Sequence, residues 1–159
     1  MKKSAEAPQP GLMAELLNEI VYVYFPLRAA GDVIAGRFNQ TTAEWGLMRS
    51  LRLGGPQTVA GLARSRPVAR QWIQRLANQL AAEGLIEFFD NPNHRRARLM
   101  RLTAAGEKVV DQLAARFVSW AHEIEANYNR RRLATTLEVI RALRDRLTAE
   151  YQALRRKAK

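Results

Sequence analysis

The stretch TVAGLARSRPVARQWIQRLANQLAAEG, residues 58–84, decides the fold because its pattern predicts two short helices joined by a tight turn. Thr58 is a candidate N-cap for the first helix, whose apolar side chains recur at helical spacing. Pro67 suits the entry of the second helix, and Gly84 suits its end. A core stripe runs along this second helix through Ile73, Leu76, Ala77 and Leu80.

The opposite side of the second helix is polar and basic. It carries Arg70, Gln71, Gln74, Arg75 and Asn78. Two short helices of which the second has such an outer face are typical of a helix-turn-helix. Arginine and glutamine side chains bear the groups that read base edges in the major groove of DNA. We interpret this face as a DNA-recognition surface; the alternative is a solvated helix face, which is the ordinary role of polar residues on a helix.

The segments LIEFF (85–89) and ARLMRL (97–102) are rich in residues that favour strands, and they flank a loop of turn-forming residues. They predict a β-hairpin directly after the recognition helix. Its tip carries His94, Arg95 and Arg96. An arginine at this place can enter the narrow, electronegative minor groove beside a helix bound in the major groove. The hairpin is therefore expected to add a second contact to DNA.

Helical patterns precede this head. Residues 1–10 are expected to form a frayed, charged tail. An N-terminal helix is predicted over residues 11–38, and Pro26 should kink it or divide it into two consecutive helices. Thr41 and Glu44 have the spacing of a capping box, which predicts the start of the next helix.

Helical patterns also follow the head. Thr103 is a candidate cap, and residues 104–159 read as two helices separated near the sequence NYNRRR. The apolar residues of the first of these helices have heptad-like spacing, which favours packing against another helix.

Composition limits the classes of function. The net charge is +11, with 26 Lys and Arg against 15 Asp and Glu, which favours a polyanionic partner such as nucleic acid or an anionic membrane surface. The chain has no cysteine and two histidines, so neither a metal site nor a catalytic constellation is predicted, and we expect no enzyme and no cofactor. No stretch reaches the ~18–20 apolar residues of a membrane span, and a cytoplasmic protein is expected. An RNA-binding or ribosome-associated module is the alternative to a DNA-binding protein, although stacking aromatics and glycine loops for single strands are lacking.

Residues 41–107 resemble the MarR family of bacterial winged-helix transcription regulators. The resemblance is carried by three segments: TTAEW, VAGLARSRPVARQWIQRLANQLAAEGLIE and NPNHRRARLMRLTAAGE. The last contains the Leu-Thr-x-x-Gly signature at Leu102, Thr103 and Gly106. The sequence departs from the family pattern at Pro67, Ala69 and His94, where the family usually has glycine, a capping serine and aspartate.

The resemblance implies a mainly α fold with a small β-hairpin wing. A winged helix-turn-helix head over residues 39–103 would be joined to dimerisation helices from both termini, residues 11–38 and 104–159. It also implies a homodimer that binds a palindromic operator on double-stranded DNA, most commonly as a repressor. DNA-contacting positions carried over from the family are Thr58 on the brace helix, the wing tip at residues 94–96, and Pro67, Ala69, Arg70, Gln71, Gln74, Arg75 and Asn78 on the recognition helix.

Many members of the family release DNA when a small phenolic or carboxylic molecule binds between the head and the dimerisation helices. The residues that would line such an effector pocket here are Tyr22, Tyr24, Arg28, Trp45, Met48 and Trp120. Arg28 would pair with a ligand carboxylate. The alternative is that these aromatic and apolar side chains simply belong to the core.

Overall fold

The computed structural model describes residues 11–66, 68–94 and 96–157, which form six helices and three short strands. In chain order these are α1 (Leu12–Gly36), α2 (Thr42–Gly54), β1 (Gln57–Thr58), α3 (Val59–Ser65), α4 (Arg70–Ala82), β2 (Ile86–Phe89), β3 (Leu99–Leu102), α5 (Ala104–Glu125) and α6 (Arg130–Lys157). The mainly α fold with a hairpin wing is thereby confirmed. The tail at residues 1–10 lies outside the described residues.

The chain divides into two compact units, residues up to Phe117 and residues from Val118 onward. The first unit holds α1, the helix-turn-helix, the sheet and the first part of α5. It is therefore larger than the head predicted over residues 39–103, because α1 and α5 supply part of its core. Ile34 and Ala35 of α1 and Val110 and Leu113 of α5 are buried with the apolar side chains of α2, α3 and α4.

The helix ends follow local rules that the sequence already contained. At the start of α2, the Thr41 hydroxyl accepts from the Glu44 amide at 3.3 Å, and the Glu44 carboxylate accepts from the Thr41 amide at 2.6 Å. This is the predicted capping box. Thr58 caps α3 by accepting from the Gly61 amide at 2.9 Å, and Thr103 accepts from the Gly106 amide at 3.1 Å.

Pro26 does not divide the N-terminal helix. α1 is one helix with Pro26 inside it, so the prediction of two consecutive helices is wrong. A proline removes only one hydrogen bond of the helix, and the turns on either side keep theirs. A kink at Pro26 stays a prediction.

The sheet contains one strand more than the sequence predicted. β3 lies between β1 and β2 and pairs antiparallel with both, so that Leu99 lies opposite Thr58 on one side and Phe89 on the other. β1 has only two residues, too few to produce an alternating pattern in the sequence. It ties the start of α3 to the base of the wing, which fixes the hairpin relative to the helix-turn-helix.

Gly106 explains the Leu-Thr-x-x-Gly signature. A Cβ atom at this position would lie 1.9 Å from the carbonyl oxygen of Leu85. That oxygen accepts a hydrogen bond from the Thr103 amide at 3.1 Å, and the Thr103 hydroxyl donates to the Gly84 carbonyl at 2.6 Å. The first turn of α5 thus docks against the end of the recognition helix, at a distance that only glycine permits.

The second unit holds the end of α5 and all of α6. None of the residues of α6, which is described throughout, is buried within the chain. Its apolar side chains Leu137, Val139, Leu147 and Leu154 are exposed by 45–64%. Among the described residues, no helix has the length and apolar character needed to cross a membrane.

Candidate nucleic-acid interface

The second helix of the helix-turn-helix, α4, presents one apolar and one basic side. Ile73, Ala77 and Leu80 are buried and hold α4 in the core. On the other side Arg70, Gln71, Arg75 and Asn78 are exposed. Within the described part of the chain, neither Arg70 nor Arg75 has a carboxylate partner, so both guanidinium groups are open to an external ligand.

Gln74 and Asn78 act as a pair on this helix. The Gln74 amide nitrogen donates to the Asn78 side-chain oxygen at 2.9 Å, one helical turn away. The bond leaves the Gln74 oxygen as an acceptor and the Asn78 nitrogen as a donor. An acceptor beside a donor is the pattern that complements the major-groove edge of adenine.

The helix begins later than the position of Pro67 suggested. Its first residue is Arg70 and its N-cap is Ala69, which supplies no side-chain hydrogen bond. The capping bond that a serine would provide is therefore absent, as expected from this departure. Pro67 lies outside the described residues.

The wing is fixed by arginines whose role the sequence did not reveal. Arg98 donates to the Phe88 carbonyl at 2.6 Å, and its guanidinium lies 5.7 Å from the centre of the Phe88 ring. Arg101 pairs with Glu87 at 2.7 Å across the two strands and lies over the Phe89 ring. These contacts lock the two strands of the hairpin together.

The tip of the wing is exposed. Arg96 points to solvent and has no carboxylate partner in the described part of the chain. His94 is also exposed, and its backbone amide and carbonyl each form a hydrogen bond within the turn. Arg95 lies outside the described residues. The tip therefore presents at least one cation in addition to those of α4.

A cavity of about 290 Å³ opens where α3, α4 and the wing meet. It is lined by residues from all three: Thr58, Val59, Ala60, Arg70, Gln74, Asn78, Phe88, Arg96, Ala97 and Arg98. Predicted recognition-helix and wing residues thus meet in one concave, positively charged surface. Thr58 lies at its edge with its hydroxyl already engaged as a helix cap, and a DNA contact by Thr58 stays a prediction.

Arg66 is a feature of this region that the sequence analysis missed. It follows α3, and its guanidinium lies against α2, where it donates to the Gly46 carbonyl at 2.9 Å and to the Ser50 hydroxyl. Burial lowers the pKa of the Arg66 guanidinium, and the positive charge of Arg49 lowers it further. No periodic pattern marks this contact, because it joins residues 20 positions apart in the chain.

The residues predicted for an effector pocket have different environments. Met48 is fully buried in the core, and the Trp45 ring packs on Phe117 with 5.2 Å between ring centres. Both environments fit an ordinary core position, and a role of these two residues in an effector pocket stays a prediction. The indole nitrogen of Trp45 is buried and has no hydrogen-bond partner among the residues that the structure describes.

The remaining effector residues do not form a cluster in the first unit. Arg28 lies 3.8 Å from Asp32 of its own helix, and Tyr22 and Tyr24 are exposed on α1. Trp120 belongs to the second unit. An effector site stays a prediction. Among the described residues, no group of three or more histidine, aspartate or glutamate side chains is arranged to hold a metal ion.

Comparison with known proteins identifies relatives of both the sequence and the fold. The chain is 36% identical over 106 residues to an uncharacterized protein of Mycobacterium tuberculosis and equally to one of Mycobacterium bovis; the match covers 67% of this chain and 73% of each relative. No protein-family model matches.

Solved structures of MarR regulators share the fold. A MarR family transcription regulator is 25% identical with a TM-score of 0.73, over 87% of this chain and 93% of that one. Staphylococcus aureus MarR in complex with salicylate and kanamycin has a TM-score of 0.79 at 18% identity, covering 87% of this chain and 94% of its own. A mutant Escherichia coli MarR complexed with operator DNA has a TM-score of 0.71 at 21% identity, covering 84% and 99%. These structural neighbours are transcription regulators and not enzymes. The winged head, the Leu-Thr-x-x-Gly signature and these likenesses support the assignment of the chain to the MarR family of transcription regulators.

Proposed function

We propose that this DNA-binding regulator acts as a homodimeric repressor, that it recognises a palindromic operator with α4 and the wing, and that a small molecule controls it. The observation that carries the proposal is the concave surface at which Arg70, Gln74, Asn78 and Arg96 meet. Its cations are exposed, and no carboxylate of the described chain neutralises them. A surface of this kind attracts the phosphates of a double helix and offers donors to base edges.

The arginines of α4 and of the wing have different proposed roles in DNA binding. Arg70 and Arg75 lie on α4 and would contact bases, since arginine binds guanine with two hydrogen bonds. Arg96 on the wing would bind in the minor groove or to the backbone, where contacts add affinity with less dependence on sequence. The matched fold of a MarR protein complexed with operator DNA supports this arrangement.

Dimer formation is supported by apolar surface that each unit leaves uncovered. In the first unit, α1 exposes a continuous apolar run, in which Tyr22 is 67% and Phe25 is 63% exposed. In the second unit, the apolar residues of α6 are likewise uncovered. Soluble monomers rarely leave patches of this size in water. A second copy of the chain is the partner that a two-fold operator requires.

The proposed controlling ligand is a small carboxylic or phenolic molecule. Staphylococcus aureus MarR, which has a similar fold, was solved in complex with salicylate. In this chain the exposed Tyr22 and Tyr24 and the buried, unpartnered indole nitrogen of Trp45 are polar groups that a bound ligand can engage.

Selection of bound sites from a random duplex library tests the DNA-binding part. We expect inverted half-sites whose centres lie about 34–36 Å apart, one helical turn, or a multiple of that spacing. A competition with structured RNA at the same salt concentration is the control. Preference for the RNA, or selected sites without two-fold symmetry, would contradict the proposed mode of binding.

A further inference from the structure

A second cationic site lies on the α2 side of the helix-turn-helix, away from the face of α4 that carries Arg70 and Arg75. It is formed by Arg66 and Arg49. The Arg66 guanidinium is half-buried against the middle of α2, between the Gly46 carbonyl and the Ser50 hydroxyl. Arg49 lies on the same helix, next to Ser50, and its side chain is exposed.

The site lacks a counter-charge. Arg66 and Arg49 have no carboxylate within ion-pair distance in the described part of the chain. The sequence explains this, since residues 45–82 contain six arginines and no aspartate or glutamate. Both hydrogen-bond partners of Arg66 are neutral oxygens, and arginine stays protonated in proteins. Burial lowers the pKa of Arg66, and repulsion from the positive charge of Arg49 lowers it further.

Such an arrangement is costly unless a negative group binds there. Removing a charge from water is unfavourable, and a like charge beside it adds repulsion. An anion that bridges two guanidinium groups relieves both costs, and phosphate oxygens match the fork of the guanidinium.

The place of the site in the fold indicates where the anion comes from. Arg66 is the C-cap of α3 and lies four residues before the first residue of α4. The N-terminal end of a recognition helix is the end that enters the groove, and the preceding part of the motif crosses the sugar-phosphate backbone. A cation held beside that end lies next to the strand that borders the groove.

We propose that Arg66 and Arg49 form a phosphate-binding site for the backbone of duplex DNA, separate from the base-reading surface of α4 and the wing. The proposal rests on the proposed function. Arg66 contributes a guanidinium fixed in direction by Gly46 and Ser50, and Arg49 contributes a second, exposed charge. The site adds affinity without sequence preference, as phosphate contacts do.

Arg52 provides a matched control. It is an arginine of the same helix, but it pairs with Asp111 at 3.1 Å, and this hydrogen bond raises the pKa of Arg52. Its charge is already neutralised, so its removal should not affect a phosphate contact. Arg52→Gln removes the same number of charges as Arg49→Gln from the same helix.

The experiment measures the affinity for a selected operator and for a random duplex by fluorescence anisotropy, across a series of salt concentrations. We expect Arg66→Gln and Arg49→Gln each to weaken both duplexes by the same factor, and to reduce the slope of log K against log salt by about 0.9 per lost phosphate contact. Arg52→Gln should keep the wild-type slope. Arg66→Lys should also keep it, because the charge is retained although the guanidinium is lost.

Several outcomes overturn the proposal. Wild-type slopes in both Arg66→Gln and Arg49→Gln show that no phosphate binds there, and so does a loss of affinity in Arg66→Gln without a change of slope. If inorganic phosphate at constant ionic strength raises the Tm of the wild type but not of Arg66→Gln, while duplex binding is unaffected, the site binds a small anion instead. If the wild type binds no duplex at all, the proposed function fails as well. This result distinguishes a failure of the DNA-binding function from a failure of the phosphate site alone.

Discussion

Replacing Gly106 by alanine should destabilise the protein, because the added Cβ would lie 1.9 Å from the Leu85 carbonyl oxygen. Real Cβ contacts are essentially never under 3.0 Å, so α5 and the end of the recognition helix must separate by at least 1.1 Å. The separation strains the hydrogen bond from the Thr103 amide to the same oxygen, at 3.1 Å. If the separation breaks this hydrogen bond, its loss costs about 1 kcal/mol of folding free energy.

Overpacking costs about 1–3 kcal/mol more, and the replacement of a helical glycine recovers about 0.5–1 kcal/mol. The free energy of unfolding should therefore fall by about 1–3.5 kcal/mol. For a chain of this length the Tm should drop by about 2–14 °C. Thermal unfolding followed by far-UV circular dichroism measures this change.

Gly36→Ala is the matched control for this substitution. Gly36 is also helical, and a Cβ at this position meets nothing within 4 Å. Alanine there should stabilise the protein by up to about 1 kcal/mol, since it restricts the unfolded chain without a clash. The two glycine substitutions must therefore shift the Tm in opposite directions. A Gly106→Ala protein as stable as the wild type would refute the account of the signature glycine.

Three further predictions follow from single contacts. Hydrogen bonds from Thr42, followed by the charge of Arg28, lower the pKa of Asp32 below its ordinary value of 3.8. The Asp32 carboxylate therefore stabilises the fold above that pH, and this stabilisation is lost as the pH falls through the lowered folded-state pKa. Between pH 5 and pH 3 the Tm of Asp32→Asn should accordingly fall less than the Tm of the wild type. Ala69→Ser should add the missing cap of α4 and raise stability by about 0.5–2 kcal/mol in denaturant titrations, and an unchanged midpoint would contradict this. Arg75→Ala should cost about 1–3 kcal/mol of discrimination between the selected operator and single-base variants, and equal losses on all duplexes would assign it to the backbone instead.

The helices of the head and the hairpin could be predicted because their signals are local. The capping box of Thr41 and Glu44, the stripe of α4 and the stop at Gly84 each lie within a few residues, and backbone rules fix their outcome. The exposed side of α4 follows from the same periodicity. The boundary of the first compact unit could not be predicted in this way, since it depends on how α1 and α5 pack in the core.

The parts of the site that the sequence did not reveal depend on contacts between distant positions. Arg66 contacts α2 across 20 positions, and Arg101 pairs with Glu87 across 14. Neither contact leaves a periodic trace. For Met48 the sequence pattern is ambiguous, because core and pocket residues on a helix share one spacing. Met48 is fully buried, which fits both interpretations, so its role in an effector pocket stays a prediction.

A charge-matched comparison of two triple variants tests whether α4 and the wing form the DNA-binding surface. One variant changes Arg70, Arg75 and Arg96 to alanine, and the other changes Arg130, Arg131 and Arg141 of α6, which are exposed arginines of the second unit. Anisotropy titrations of the selected operator at one salt concentration give both affinities. The first variant should bind at least about thirtyfold more weakly, from two base contacts of about 1 kcal/mol or more each, while the second stays within about threefold of the wild type. Equal affinities for the two variants would contradict the account.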